Sequence, residues 1–293
     1  MIYYNYLYLL LIIPLFRILK PNIINGNNQM NKYLNKKVIE RQNIILNKKK
    51  ELFLDTQKEL YLHNNEFILD KKIISISPGG MKGFYLFGIS SYIKKNYKLD
   101  NYIFSGASAG AWNSLFMCFK KNPSELIHII MNINFTNIRS IHQLEILFKN
   151  KLLSAYKETD FDLKRLFIGV TIVKNYEIQT NIFSDFDSLE DAIDCCIASS
   201  HIPFITGNFT NKYHNMYVFD GGFSKYPYLN LTNTVLHLTP SIWFKSSNYT
   251  ILQKYLDMKE LIFYKNINLI QLYEKGYEDA KNHKDFLDNI LKP

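Results

Sequence analysis

Three short stretches hold the residues that could do chemistry: Pro78-Gly79-Gly80-Met81-Lys82-Gly83, Gly106-Ala107-Ser108-Ala109-Gly110 and Asp220-Gly221-Gly222. In the second, a serine lies among small residues in a G-x-S-x-G pattern, which suits a tight strand-to-helix turn that presents the hydroxyl. The helix that follows directs the positive end of its dipole at the serine and favours negative charge beside it. A nucleophile attacking an ester carbonyl fits that setting. The oxyanion it creates needs aimed N–H donors, each worth roughly 3–4 kcal/mol. The first stretch can supply them, because a chain without side chains at Gly79 and Gly80 lets the N–H groups of Gly79, Gly80 and Met81 come close to a substrate. Pro78 has no N–H to give, and Lys82 and Gly83 lead into the next helix. A phosphate-binding loop would also be glycine-rich, but neither G-x-x-x-x-G-K-[ST] nor G-x-G-x-x-G occurs here. For residues 106–110 the plain alternative is a helix start built of small residues, with no chemistry.

A serine nucleophile needs a base. The histidines, at positions 63, 128, 142, 201, 214, 237 and 283, have no telling local setting. Asp220 does: it ends the run MYVFD and is followed by two residues without side chains, so its carboxylate could accept the Ser108 proton directly. The competing reading is a hairpin turn, for which Asp-Gly is a strong signal. Cys118, Cys195 and Cys196 show no metal-ligand spacing, and an odd count argues against a disulfide framework and for a reducing compartment. No calcium-binding loop is visible.

The elements that must position these residues follow from periodicity. Residues 71–77 form a β-branched run that stops at Pro78-Gly79-Gly80, as a buried strand would. Residues 83–96 have helical apolar spacing, 102–106 read as the next strand and 109–121 as a second helix. Strand, turn, helix, strand, turn, helix implies parallel pairing through right-handed crossovers. In such sheets ligands sit beyond the carboxyl ends of the strands, where both glycine turns fall. Further strands are expected at 165–173, 175–183, 216–220 and 234–240, and helices at 123–132, 142–150, 189–199, 251–259 and 266–282. The 293 residues then divide into a hydrophobic segment (1–20), a basic, partly helical linker (21–67) and one α/β domain (68–293).

The net charge of +9 is unevenly placed, since residues 17–59 hold ten Lys or Arg against four acids. The excess therefore lies ahead of the domain, and with no nucleic-acid motif present a DNA-binding function is excluded. Residues 1–16, MIYYNYLYLLLIIPLF, are uncharged and interrupted by Pro14. They are shorter than the roughly 20 apolar residues of a membrane span. They also lack the charged start and small-residue cleavage site of a signal peptide. An uncleaved membrane anchor or interfacial segment is expected, its basic flank drawn to an anionic cytoplasmic leaflet by about 1 kcal/mol per Lys or Arg. A helix docked on the domain, with a charged linker behind it, stays open as the alternative. The first reading makes the protein membrane-associated, with its domain on the cytoplasmic side.

With G-G-x-K-G, G-x-S-x-G and D-G-G in that order, the chain resembles the patatin-like phospholipase family. The segment ASSHIPF (198–204) is similar to the family's alanine-serine…proline stretch, and YEKGYEDA (273–280) to its C-terminal helix, so the likeness spans about 70–285. The resemblance implies a three-layer α/β/α domain with a mostly parallel central sheet. It also implies a Ser–Asp dyad that hydrolyses fatty-acyl esters of phospholipids or other lipids, as a phospholipase A does, without metal or organic cofactor. On that basis Ser108 is the nucleophile, Asp220 the base and Gly79, Gly80 and Met81 the oxyanion hole. Lys82 takes the family's basic position, while Gly83, Gly106, Gly110, Gly221 and Gly222 support the turns. The expected partners are an acyl-lipid substrate and an anionic membrane surface, not nucleic acid. Pro78 departs from the family, which begins this loop with glycine, and fixes a backbone angle there. Two other readings remain: a Ser–Asp–His esterase using His201, His214, His237 or His283, and a catalytically silent lipid-binding protein of the same fold.

Overall fold

The computed structural model describes residues 68 and 70–291, apart from 134–137, 139, 175–176, 225, 230–233 and 244–267. The segments 1–20 and 21–67 and the helix expected at 251–259 lie outside the described residues.

Seven strands form one sheet: β1 (Lys72–Ile76), β2 (Tyr102–Gly106), β3 (Leu166–Lys174), β4 (Glu177–Phe183), β5 (Asn211–Tyr213), β6 (Met216–Phe219) and β7 (Thr234–Leu238). The order is β5-β6-β3-β2-β1-β7, with β4 also paired to β3. Strands β7, β1, β2 and β3 are parallel, whereas β4 and β6 run antiparallel to β3, and β5 to β6. Strands buried on both faces need apolar side chains throughout, and β1 shows why KIISI reads that way. Ile73, level with Ile103, packs on one face with Phe167, Ile182 and Leu229. Ile74 and Ile76, with Phe104 and Ile168, enter the larger core on the other face.

Helices flank both sides of the sheet: α1 (Gly83–Asn96), α2 (Ala109–Met117), α3 (Pro123–Met131), α4 (Ile141–Ala155), α5 (Leu189–Ser199), α6 (Leu269–Asn282) and α7 (Lys284–Ile290). The side chains of Asn122, Ser140, Ser188 and Asn268 cap α3, α4, α5 and α6 by accepting a main-chain N–H, each worth about 1 kcal/mol. Helices α1 and α6 cross in backbone contact. A Cβ on Gly88 would stand 2.0 Å from Tyr273 O, and one on Gly276 2.0 Å from Tyr85 O. Tyr85 Oη also donates to Asp279 at 2.7 Å across that crossing.

Some boundaries differ from expectation. Helix α2 stops at Met117 because Phe119 turns inward to bridge Phe161 and packs on Tyr156. Helix α4 runs on to Ala155, carried by the buried Leu152. The short β5 and the final helix α7 have too few residues for a periodic signal.

Candidate active site

Strand β2 ends at Gly106, and two residues later Ser108 takes φ 54° and ψ −128° before α2 begins. Positive φ on a residue with a side chain costs of order 1–3 kcal/mol and persists only where the surroundings enforce it. Here they do. A Cβ on Gly110 would stand 2.0 Å from Ile76 O, and one on Gly106 2.1 Å from Gly110 O, so the turn closes only with glycine at both ends. Ser108 N–H donates to Ser199 Oγ at 2.8 Å, and that hydroxyl donates to Gly169 O at 2.7 Å. The elbow is thereby tied to the end of α5 and to β3.

The first glycine turn follows β1. Gly80 has φ 51° and opens a short 3-10 turn, Gly80–Lys82, that runs into α1. Lys82 N–H reaches Gly79 O at 3.0 Å. The N–H groups of Gly79, Gly80 and Met81 come before it, among the donors that a helix start leaves without an internal acceptor. A Cβ on Gly83 would stand 2.7 Å from that of Ala109, so the two glycine turns pack directly together. Met81 is buried and Lys82 half-buried. Pro78 lies over the third turn: a Cβ on Gly222 would meet its Cβ and Cγ at 3.2 Å.

That third turn is not a hairpin. Asp220 follows β6 directly and caps a 3-10 turn, Gly221–Phe223. Its N–H donates to His201 O at 2.7 Å, its carbonyl accepts from Thr171 Oγ1 at 2.8 Å, and its Oδ1 accepts from Gly222 N–H at 2.6 Å. Gly221 is pressed against β3, where a Cβ would stand 2.3 Å from Gly169 O.

Ser108 and Asp220 are each 5% exposed. Burial pushes the Asp220 carboxyl up to about 6, while the Ser108 hydroxyl and the Gly222 N–H hold it back. The Ser108 hydroxyl thus lies within reach of the carboxylate and acts on it as a hydrogen-bond donor. The four histidines are placed elsewhere. The His201 ring neighbours Thr206, His214 pairs with Asp191 at 3.0 Å, His237 Nδ1 meets Ser75 Oγ at 2.7 Å, and His283 stacks on Trp243. Among the described residues, the hydrogen bonds of Ser108 and Asp220 reach no imidazole.

A cavity of about 120 Å³ opens beside Ser108 and Gly80. Its walls are mostly apolar, with Phe84, Trp112, Leu144 and Phe148 prominent and a single carboxyl, Glu145. Two contributors escape sequence reasoning. Ser199 stands inside ASSHIPF, whose alanine-serine pattern could have pointed to it. Glu145 has no such signal, being one acid in an otherwise ordinary amphipathic helix. Among the described residues no group of His, Cys, Asp or Glu could hold a metal ion, and no helix is long and apolar enough to cross a membrane. The three cysteines are free and buried.

The family model for patatin-like phospholipase matches residues 74–231, more than half of the chain and a span that includes all three turns. No curated protein matches at a significant level. Among solved structures, VipD from Legionella pneumophila is similar with 11% identity and a TM-score of 0.42, over 75% of this chain and 67% of that one. The ExoU–SpcU complex of the Pseudomonas aeruginosa type III secretion system gives 14% identity and a TM-score of 0.37, over 76% of this chain and 52% of that one. The family assignment rests on the family model alone.

Proposed function

The chain belongs to the patatin-like phospholipase family of lipid acyl hydrolases, and from that premise we propose that it cleaves fatty-acyl esters through a Ser108–Asp220 dyad. Asp220 takes the hydroxyl proton as Ser108 Oγ attacks the ester carbonyl. The oxyanion is held by the N–H groups of Gly79, Gly80 and Met81. Asp220 returns the proton to the leaving alcohol, an acyl-enzyme forms, and water activated by the same carboxylate releases the fatty acid. The observation that carries this reading is the buried Asp220 carboxyl beside Ser108, raised to about 6 and therefore near the working pH of a general base. Proline at position 78 is compatible with it, since its ring lies beside Gly222 and the proposed donors come later in the loop.

The substrate is a phospholipid or related acyl lipid, attacked as a phospholipase A would, with its apolar chain in the cavity beside Ser108. The uncharged residues 1–16 and the basic stretch 17–59 support work at an anionic bilayer surface, with the domain on the cytoplasmic side. A fluorophosphonate probe with mass mapping tests the site. The label is expected on Ser108, absent from Ser108→Ala and slowed strongly in Asp220→Asn. Lipid binding with no labelling at all would instead favour the silent lipid-binding reading.

A further inference from the structure

Glu145 stands in the wall of the cavity that also contains Ser108, between Leu144 and the apolar lining of α4. It is 4% exposed, and neither carboxyl oxygen meets a partner at hydrogen-bonding distance and angle. The neighbouring Ser200 hydroxyl acts on it from close by. That proton already goes to Cys196 O at 2.8 Å, while Trp112 Nε1 donates to Ser200 Oγ at 3.1 Å. The nearest cation along the helix, Lys149, is engaged by Asp194 at 2.7 Å and Glu190 at 2.8 Å. A buried carboxyl left unpaired is expensive to keep. Burial, and after it the charge of Asp220, raises this one well above the usual carboxylate range and so favours the neutral acid, which has one O–H to give and one C=O to accept with.

A second unpaired polar atom, Asn113 Oδ1, belongs to the same cavity wall. The aromatic residues do not form an open cage for a cation. Trp112 packs on Phe148 at 5.8 Å and Phe84 on Phe148 at 6.3 Å, ring against ring. The complement of this wall is therefore an uncharged chain with one group that both donates and accepts. We propose that Glu145 is a specificity-determining residue of the acyl cavity, selecting an acyl chain that carries a hydroxyl group. This inference rests on the reading of Ser108 as the nucleophile, since that reading makes the cavity an acyl site. A site built to hydrogen-bond a hydroxyl rejects the analogue that lacks it, because its own buried groups then stay unpaired.

Binding to the Ser108→Ala protein tests this without turnover, using methyl decanoate and methyl hydroxydecanoates with the hydroxyl at successive carbons, by calorimetry. At least one hydroxylated ester is expected to bind about tenfold or more tighter than methyl decanoate. The gain should persist in Ser108→Ala/Glu145→Gln, which keeps a donor and an acceptor, and vanish in Ser108→Ala/Glu145→Leu. The leucine variant should melt no lower than its parent, because it removes an unpaired polar group. No preference at any position, or a preference that survives Glu145→Leu, overturns the inference. Methanol release by the wild-type protein from the same esters separates the two readings. Hydrolysis with no preference sinks the role of Glu145 alone, and preference with no hydrolysis leaves Glu145 selecting hydroxylated chains in binding only, sinking both the reading of Ser108 and the acyl-specificity role that rests on it.

Discussion

Asp220 and Glu145 are two buried carboxyls, one beside Ser108 and one in the wall of the cavity that Ser108 lines, and burial acts on them to different extents. Asp220 follows a strand, where the next turn aims the Gly222 N–H at its Oδ1 from 2.6 Å and Ser108 lies beside it. These contacts limit the effect of burial, and the carboxyl is raised only to about 6. Glu145 lies within a helix, where no backbone N–H is aimed at its carboxyl, and only the Ser200 hydroxyl, which donates to Cys196 O, stands close by. Burial raises it well above the usual carboxylate range, toward the neutral acid. The contrast teaches that backbone donors at a strand-end turn let a buried carboxyl serve as a base, while the same chemistry inside a helix yields an acid.

The sharpest way to break that contrast is Asp220→Asn. Its expected effect is a loss of about 10³–10⁴ in kcat, the scale on which an essential general base acts. The same variant should be more stable at neutral pH. Because the folded carboxyl is raised from 3.8 to about 6, its stabilising contribution is fully present below about pH 4 and lost as pH rises through 6. At pH 8 the amide should therefore recover up to about 3 kcal/mol, and denaturant unfolding at pH 4 and pH 8 should show the advantage only at the higher pH. Ser199→Ala tests the support of the elbow, since it removes the acceptor of Ser108 N–H. A loss of about 10–100-fold is expected, carried by kcat and accompanied by slower fluorophosphonate labelling. In the wild type, kcat/KM should fall about tenfold per pH unit below 6 and stay level above it. The smallest effects should come from the histidines: replacing His201, His214, His237 or His283 singly should cost less than about threefold in kcat for each correctly folded variant. A larger loss for a folded variant would revive a Ser–Asp–His triad.

Much of this architecture was legible because local signals agreed with one another. The runs 83–96 and 102–106 became α1 and β2 at those boundaries, since a run of helical apolar spacing opens at Gly83 and a short apolar strand closes at Gly106. The three turns were legible for the same reason: glycine is scarce and its positions are constrained by backbone contact, as at Gly110 beside Ile76 O. What stayed hidden depended on long-range placement. Asp-Gly suggested a hairpin, but the third turn packs on β3 through Gly169 and becomes a 3-10 turn. The role of Ser199 depends on the meeting of α5, β3 and the elbow, so the alanine-serine pattern marks the residue without showing what it holds. Glu145 was invisible because an acid in a helix ordinarily faces water, and only the fold turns this one toward the cavity.

The central claim is that a single hydroxyl passes its proton to a single carboxylate and so opens a lipid ester. Vesicles of mixed anionic and zwitterionic phospholipids, incubated with the full-length protein and with Ser108→Ala, test it most directly when the released species are identified by mass. The account predicts free fatty acid and the matching lysophospholipid from the wild type, with at least a 10⁴-fold drop for Ser108→Ala. Fatty acid released equally by both proteins would contradict it.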